Sequence, residues 1–160
     1  MREMTPEPLT ADAFARFGKV IEASDRAEKL EINQGHAVRY NRLAELDVGE
    51  DGTGAISLFR ARPLGELVLR VFERHPLGSQ AFMPLSGRPY LVAVAPNGDF
   101  DPAEVRLFRA GGRQGVQYAK GVWHHFLLVL DDGDFLVVDR AGPGANCDEV
   151  ELAEPIRVRL

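Results

Sequence analysis

What most constrains this chain is a succession of short segments, beginning after residue 54, in which apolar residues recur with period two and each segment ends in a turn signal. The segments are AISLFR (Ala55 to Arg60), LVLRVFERH (Leu67 to His75), YLVAVA (Tyr90 to Ala95), VRLFRA (Val105 to Ala110), GVQYA (Gly115 to Ala119), HFLLVL (His125 to Leu130), FLVVDR (Phe135 to Arg140) and EPIRVRL (Glu154 to Leu160). Alternation of this kind sends successive side chains to opposite faces, as a strand does. Between the segments stand Arg62-Pro63, Pro96-Asn97-Gly98, Gly111-Gly112, Asp132-Gly133 and Gly142 to Gly144, residues suited to tight turns. Helical crossovers of the length that parallel strands need are absent from these connections, so the spacing predicts an all-β antiparallel sandwich or barrel. A single short helix is expected at Ala11 to Phe17, capped by Thr10 and stopped by Gly18. The polar stretches Glu22 to Asn33 and Leu43 to Gly54 read as loops, the first as a flap.

At 160 residues and 45% hydrophobic content, the chain suits one domain spanning residues 1–160. Nineteen basic against 24 acidic residues give a net charge of −5 without any basic run, which argues against nucleic acid or an anionic membrane as partner. The longest apolar stretches, Phe126 to Leu130 and Leu91 to Ala95, fall far short of the roughly 20 residues that span a bilayer. The lone cysteine, Cys147, cannot form an internal disulfide, and the opening MREMTPEPLT lacks an apolar signal core, so a cytoplasmic location is expected. No phosphate-cradling glycine loop is present, and no nucleotide cofactor is expected.

Chemistry concentrates around two of the four histidines. In Glu73-Arg74-His75 the alternation places Glu73 and His75 on the face of Leu67, Leu69 and Val71, where polar groups meet the core or a cavity in it. A buried carboxylate beside an imidazole needs a partner, so the pair is either a structural ion pair or a site. The second segment, Gly115 to His125, carries His124. Glu73, His75, Gln80 and Gly87, followed by Gly115, Gly121 and His124, fall at the positions of the two cupin motifs, with Glu73 for a histidine, Gln80 for the glutamate and Ala119 for a proline. The chain therefore resembles a cupin, and the resemblance implies a cupin-like jelly-roll β-barrel whose mouth is lined by Glu73, His75, Gln80 and His124 as candidate ligands of a divalent metal. Two imidazoles and a carboxylate suit a borderline metal; a neutral amide is a poor ligand for one.

The likeness extends further. ERHPLGSQAFMPLSG (Glu73 to Gly87), GVQYAKGVWHH (Gly115 to His125), DRAGPGANCDE (Asp139 to Glu149) and NQGHAVRYNRLA (Asn33 to Ala44) closely resemble the ureidoglycolate lyase family of bacterial purine and allantoin catabolism. That resemblance implies a homodimer that splits ureidoglycolate into glyoxylate and urea, with nickel sometimes assigned as cofactor. An amidohydrolase releasing ammonia and carbon dioxide from the same substrate, and a non-catalytic cupin module that binds a small carboxylate, are the alternatives.

Cleaving the C–N bond of such a substrate requires a base for the hydroxyl proton and an acid for the departing nitrogen. Glu73, His75 and His124 can supply both, with Glu73 or a metal expected to activate the hydroxyl and His124 or His75 to protonate the nitrogen. A substrate carboxylate calls for arginine. Arg60 is the leading candidate, because it ends a strand on the Ile56 and Leu58 face, expected to be the inner one; Arg39, Tyr40 and Arg140 are secondary, and Gln80 is a further candidate for contact with the substrate. Trp123 and His125 read as structural, Cys147 as a buried filler, and His36 as exposed.

Overall fold

A computed structural model describes all 160 residues. The strands are β1 (Arg2–Met4), β2 (Glu7–Pro8), β3 (Gly18–Ile21), β4 (Lys29–Ile32), β5 (Ala37–Tyr40), β6 (Thr53–Ala61), β7 (Val68–Arg74), β8 (Gln80–Pro84), β9 (Tyr90–Ala95), β10 (Arg106–Ala110), β11 (Gly115–Tyr118), β12 (Trp123–His124), β13 (Leu128–Val129), β14 (Gly133–Ala141) and β15 (Asp148–Val158). One sheet runs β1-β15-β7-β12-β9-β10-β2, with β13 also paired to β9; a second runs β3-β11-β8-β14-β6. Apart from the parallel pairings of β1 with β15 and β2 with β10, the pairings are antiparallel. The two curled sheets form the expected all-β, cupin-like jelly roll.

Strand β9 explains why the larger sheet curls. Every residue of Tyr90–Ala95 is buried, and its two faces serve two cores. Tyr90, Val92 and Val94 join Phe82, Val116, Phe135 and Val137 between the sheets. Leu91, Ala93 and Ala95 join Leu69, Phe72, Leu107 and Ile156 on the other side. A sheet that buries its outer face against its own outlying strands must fold over itself. The register shift in β15 between Glu151 and Ile156 provides a bend of the kind β-bulges impose.

The helix is shorter than the sequence suggested. It covers Ala11–Phe14 only, with the Thr10 hydroxyl accepting from Ala13 N at 3.2 Å. A single turn suffices because Phe14 and Phe17 are already fully buried, packed on Phe108 at 5.7 and 6.2 Å between ring centroids. The stretch read as a flap is in part a hairpin, β4 with β5, joined by a turn at Asn33–Gly35; period-two alternation in KLEI was obscured by its exposure on all four residues. No helix is long and apolar enough to cross a membrane.

Replacing Phe108 with alanine should destabilise the fold by about 3–5 kcal/mol, through lost burial and the cavity left between Phe14 and Phe17; urea unfolding followed by far-UV circular dichroism measures it.

Candidate active site

Two cross-strand pairs bring the polar residues together. On the larger sheet, Glu73 of β7 stands directly opposite His124 of β12. On the smaller sheet, Gln80 of β8 stands opposite Tyr118 of β11. The Tyr118 ring spans the gap between the sheets, stacked on His124 at 4.2 Å with only 10° between the planes. His75, just beyond β7, lies 5.1 Å from His124 between ring centroids. Glu73, His75 and His124 thus offer three ligand atoms within 4.8 Å of one another. The hydrogen bond from Gly121 N to His75 O, 2.9 Å, ties the second motif to the first.

The tautomers follow from the partners. His75 Nδ1 lies 2.8 Å from the carbonyl of Asn146, and His124 Nδ1 lies 3.2 Å from the carbonyl of His125. A carbonyl can only accept, so each Nδ1 carries a hydrogen, and in the neutral ring it is Nε2 that presents the lone pair. Both Nε2 atoms are buried without a partner. Burial, reinforced by His75, lowers the pKa of His124 to about 3, so the 4.0 Å approach of His124 Nδ1 to Glu73 Oε1 joins a neutral ring to a carboxylate and is no ion pair. Two imidazoles, each held from behind by a carbonyl, and a carboxylate match the donor set of a divalent metal site. Asn146, which sequence reasoning passed over, anchors this arrangement twice, since its Oδ1 also accepts from Leu77 N at 2.8 Å.

Glu73 and His124 open into a cavity of about 490 Å³ walled by Phe59, Phe82, Tyr118 and Phe126. A larger cleft of about 820 Å³ adjoins it and shares Arg60, Ala61 and Arg62, but contains none of the cluster; Glu73 and His124 line only the smaller, aromatic-walled one.

The arginines are placed differently from the sequence expectation. Ile56 and Leu58 are 75% and 66% exposed, so their face of β6 is the outer one, and Phe59, packed on Phe82 at 5.6 Å, marks the inner. Arg60 accordingly projects outward, with Nε and Nη2 donating to the two carboxylate oxygens of Asp134 at 3.0 and 3.2 Å, though it still borders the cavity rim. Arg62 borders the same rim and has no hydrogen bond or ion pair; it follows β6 immediately before Pro63 and was not singled out from the sequence. Arg140 donates to the carbonyls of Val48 and Glu50 at 2.9 and 3.2 Å, pinning the 43–52 loop. Arg39 and Tyr40 lie on the β4–β5 hairpin and do not line the cavity. Cys147 is exposed rather than a buried filler, with Sγ 3.7 Å from Glu73 Oε2. Trp123 and His125 are buried; Trp123 donates to Gly98 O at 2.9 Å, and His125 forms part of the cavity wall.

The family model described as ureidoglycolate lyase matches residues 1–159. Among curated relatives, the protein named ureidoglycolate lyase of Pseudomonas syringae pv. tomato is 51% identical, over all of this chain and 96% of its own length. Its namesake in Stutzerimonas stutzeri is 52% identical over the same shares, and that of Burkholderia mallei 48% over 98% of this chain and 93% of its own.

Calorimetric titration of the metal-stripped protein with nickel or zinc should give one site per chain. His124→Ala should weaken it by at least about tenfold, whereas Cys147→Ser should not, because the alternative trio of Glu73, Cys147 and Glu149 is solvent-exposed at two of its three members.

Proposed function

The chain belongs to the ureidoglycolate lyase family, and from that membership we propose that it cleaves ureidoglycolate to glyoxylate and urea, as a single catalytic unit over residues 1–160. The observation that carries the reading is the convergence of Glu73 with the unpaired Nε2 atoms of His75 and His124, beside an aromatic-walled cavity that Glu73 and His124 line.

Ureidoglycolate bears its hydroxyl and its ureido nitrogen on one carbon. A single carboxylate can therefore serve both: Glu73 takes the hydroxyl proton, the O–H electron pair forms the glyoxylate carbonyl, the C–N pair leaves with the nitrogen, and Glu73 returns the proton there. In this route Glu73 takes the part that the sequence reading gave to His124 or His75. Each ring's only hydrogen is committed to a carbonyl, so neither brings a proton to the cavity in its neutral form. His75 and His124, with one oxygen of Glu73, would hold a divalent metal, nickel by family resemblance, which when bound lowers the pKa of a hydroxyl it contacts; the second Glu73 oxygen is left for the proton. Phe59, Phe82 and Phe126 exclude water from the reacting carbon. For the substrate carboxylate, the unpaired guanidinium of Arg62 at the rim is the best-placed partner, with Arg60 available only in competition with Asp134.

We further infer a cytoplasmic homodimer. Its support is the outer face of the smaller sheet, where exposed Ile56 and Leu58 of the edge strand continue through their cross-strand neighbours Val138 and Leu136, a contiguous apolar surface that a second copy can cover across a two-fold axis.

Incubated with ureidoglycolate, the protein should release urea and glyoxylate and no ammonia. Glu73→Gln should lower kcat by about 10²–10⁴-fold, and Arg62→Ala should raise KM by about tenfold or more; full activity in the Glu73 variant would end the proposed proton route. Leu58→Glu should convert the dimer to monomer in analytical ultracentrifugation.

A further inference from the structure

Besides the two imidazole atoms, one more side-chain polar atom is buried without a hydrogen-bond partner: Gln80 Oε1. Its orientation is fixed. Gln80, Phe82 and Pro84 are the inward residues of β8, and Phe135 and Val137 those of β14, so Asp139 is the next inward position of that strand. One residue beyond the Ala81–Val138 pair, Gln80 Nε2 donates to Asp139 Oδ2 at 3.0 Å. An ionised carboxylate only accepts, so the amide NH2 must face Asp139 and the carbonyl oxygen must face away from it. Flipping the amide would set two acceptors against each other. Gln80 is 7% exposed, and its neighbour across the strand pair, Tyr118, is the residue stacked on His124.

We propose that Asp139 is a positioning residue for substrate recognition, holding the Gln80 amide so that its carbonyl oxygen accepts an N–H of the substrate's ureido group; this rests on the ureidoglycolate reading above. Of the substrate's donors, the hydroxyl is the one Glu73 takes, and those that remain are ureido N–H groups. A neutral carbonyl suits a neutral N–H, and a fixed acceptor rejects an isostere lacking that hydrogen because the buried oxygen is then left unpaired. With the amide reversed, its NH2 would confront the same N–H groups. Asp139, whose partner lies 59 positions earlier, thereby decides the polarity of a group it does not share with the substrate.

The test compares two small ligands of the same shape by calorimetry, neither of which has the hydroxyl required for cleavage. N-carbamoylglycine keeps the ureido N–H groups; 4-oxopentanoate has carbon in place of both nitrogens. Wild-type protein should bind the first at least about tenfold more tightly. Asp139→Asn, whose amide can either donate or accept, should lose most of that preference, as should Gln80→Met. The exchange Gln80→Glu with Asp139→Asn should restore it, because the asparagine NH2 then holds one carboxylate oxygen and leaves the other as the acceptor. A purely structural role for Asp139 would lower thermal stability without moving the ratio of the two affinities. An unchanged ratio in Asp139→Asn and Gln80→Met, or no preference in the wild type, overturns the proposal. Should Asp139→Asn fail to fold, Gln80→Met and the exchange decide. The two readings fail separately: absence of urea and glyoxylate from wild-type protein removes the lyase assignment and this proposal with it, whereas turnover with an unchanged affinity ratio removes the proposal alone.

Discussion

The architecture depends on burying β9 on both faces. A strand that reads YLVAVA, with no polar position to offer to solvent, can be satisfied only where apolar groups meet it from both sides. The smaller sheet covers one side. The other is covered by the curl of β9's own sheet, which carries β7 and β15 around to Leu91, Ala93 and Ala95. The same curl places β12 between β7 and β9, and so sets His124 beside Glu73. Core packing and the site therefore have one cause. Each conserves the other's geometry, because the barrel cannot open without exposing β9.

Around Glu73 the buried polar atoms without a partner are all acceptors. The two Nε2 atoms and Gln80 Oε1 are unpaired, and each is set in its orientation from behind: His75 by Asn146, His124 by the carbonyl of His125, Gln80 by Asp139. Preorganisation of this kind lowers the cost of orienting groups when a ligand arrives. It also explains why neutral histidine is the useful form here, since a protonated ring would spend a lone pair that the site needs.

Much of the fold was legible because strand alternation and turn chemistry are local properties. The cluster was legible too, as the spacing of Glu73, His75 and His124 lies within two short motifs. Arg60 shows where the reading fails. Strand β6 has apolar residues on both faces, Ile56 and Leu58 on one and Phe59 on the other, and periodicity gives the alternation without saying which side is inward. Register against β14 decided it, since Ser57 and Phe59 pair with the inward Val137 and Phe135, and register belongs to the whole sheet. Asn146 and Asp139 were invisible for a related reason: each acts through a partner 59 or more residues away, and neither residue type is unusual in a turn or at a strand end. The β4–β5 hairpin was missed because its solvent exposure leaves no apolar stripe to detect.

The three buried acceptor atoms without a protein partner also link occupancy to abundance. Burying them carries a desolvation cost that the unfolded chain does not bear. Anything that brings positive charge or N–H groups to them binds the native state alone, and so raises its stability with the logarithm of its concentration. In a cell where misfolded chains are continuously removed, the supply of that ligand would then set how much of the protein persists, and a shortage would thin the population of folded molecules as well as emptying their sites.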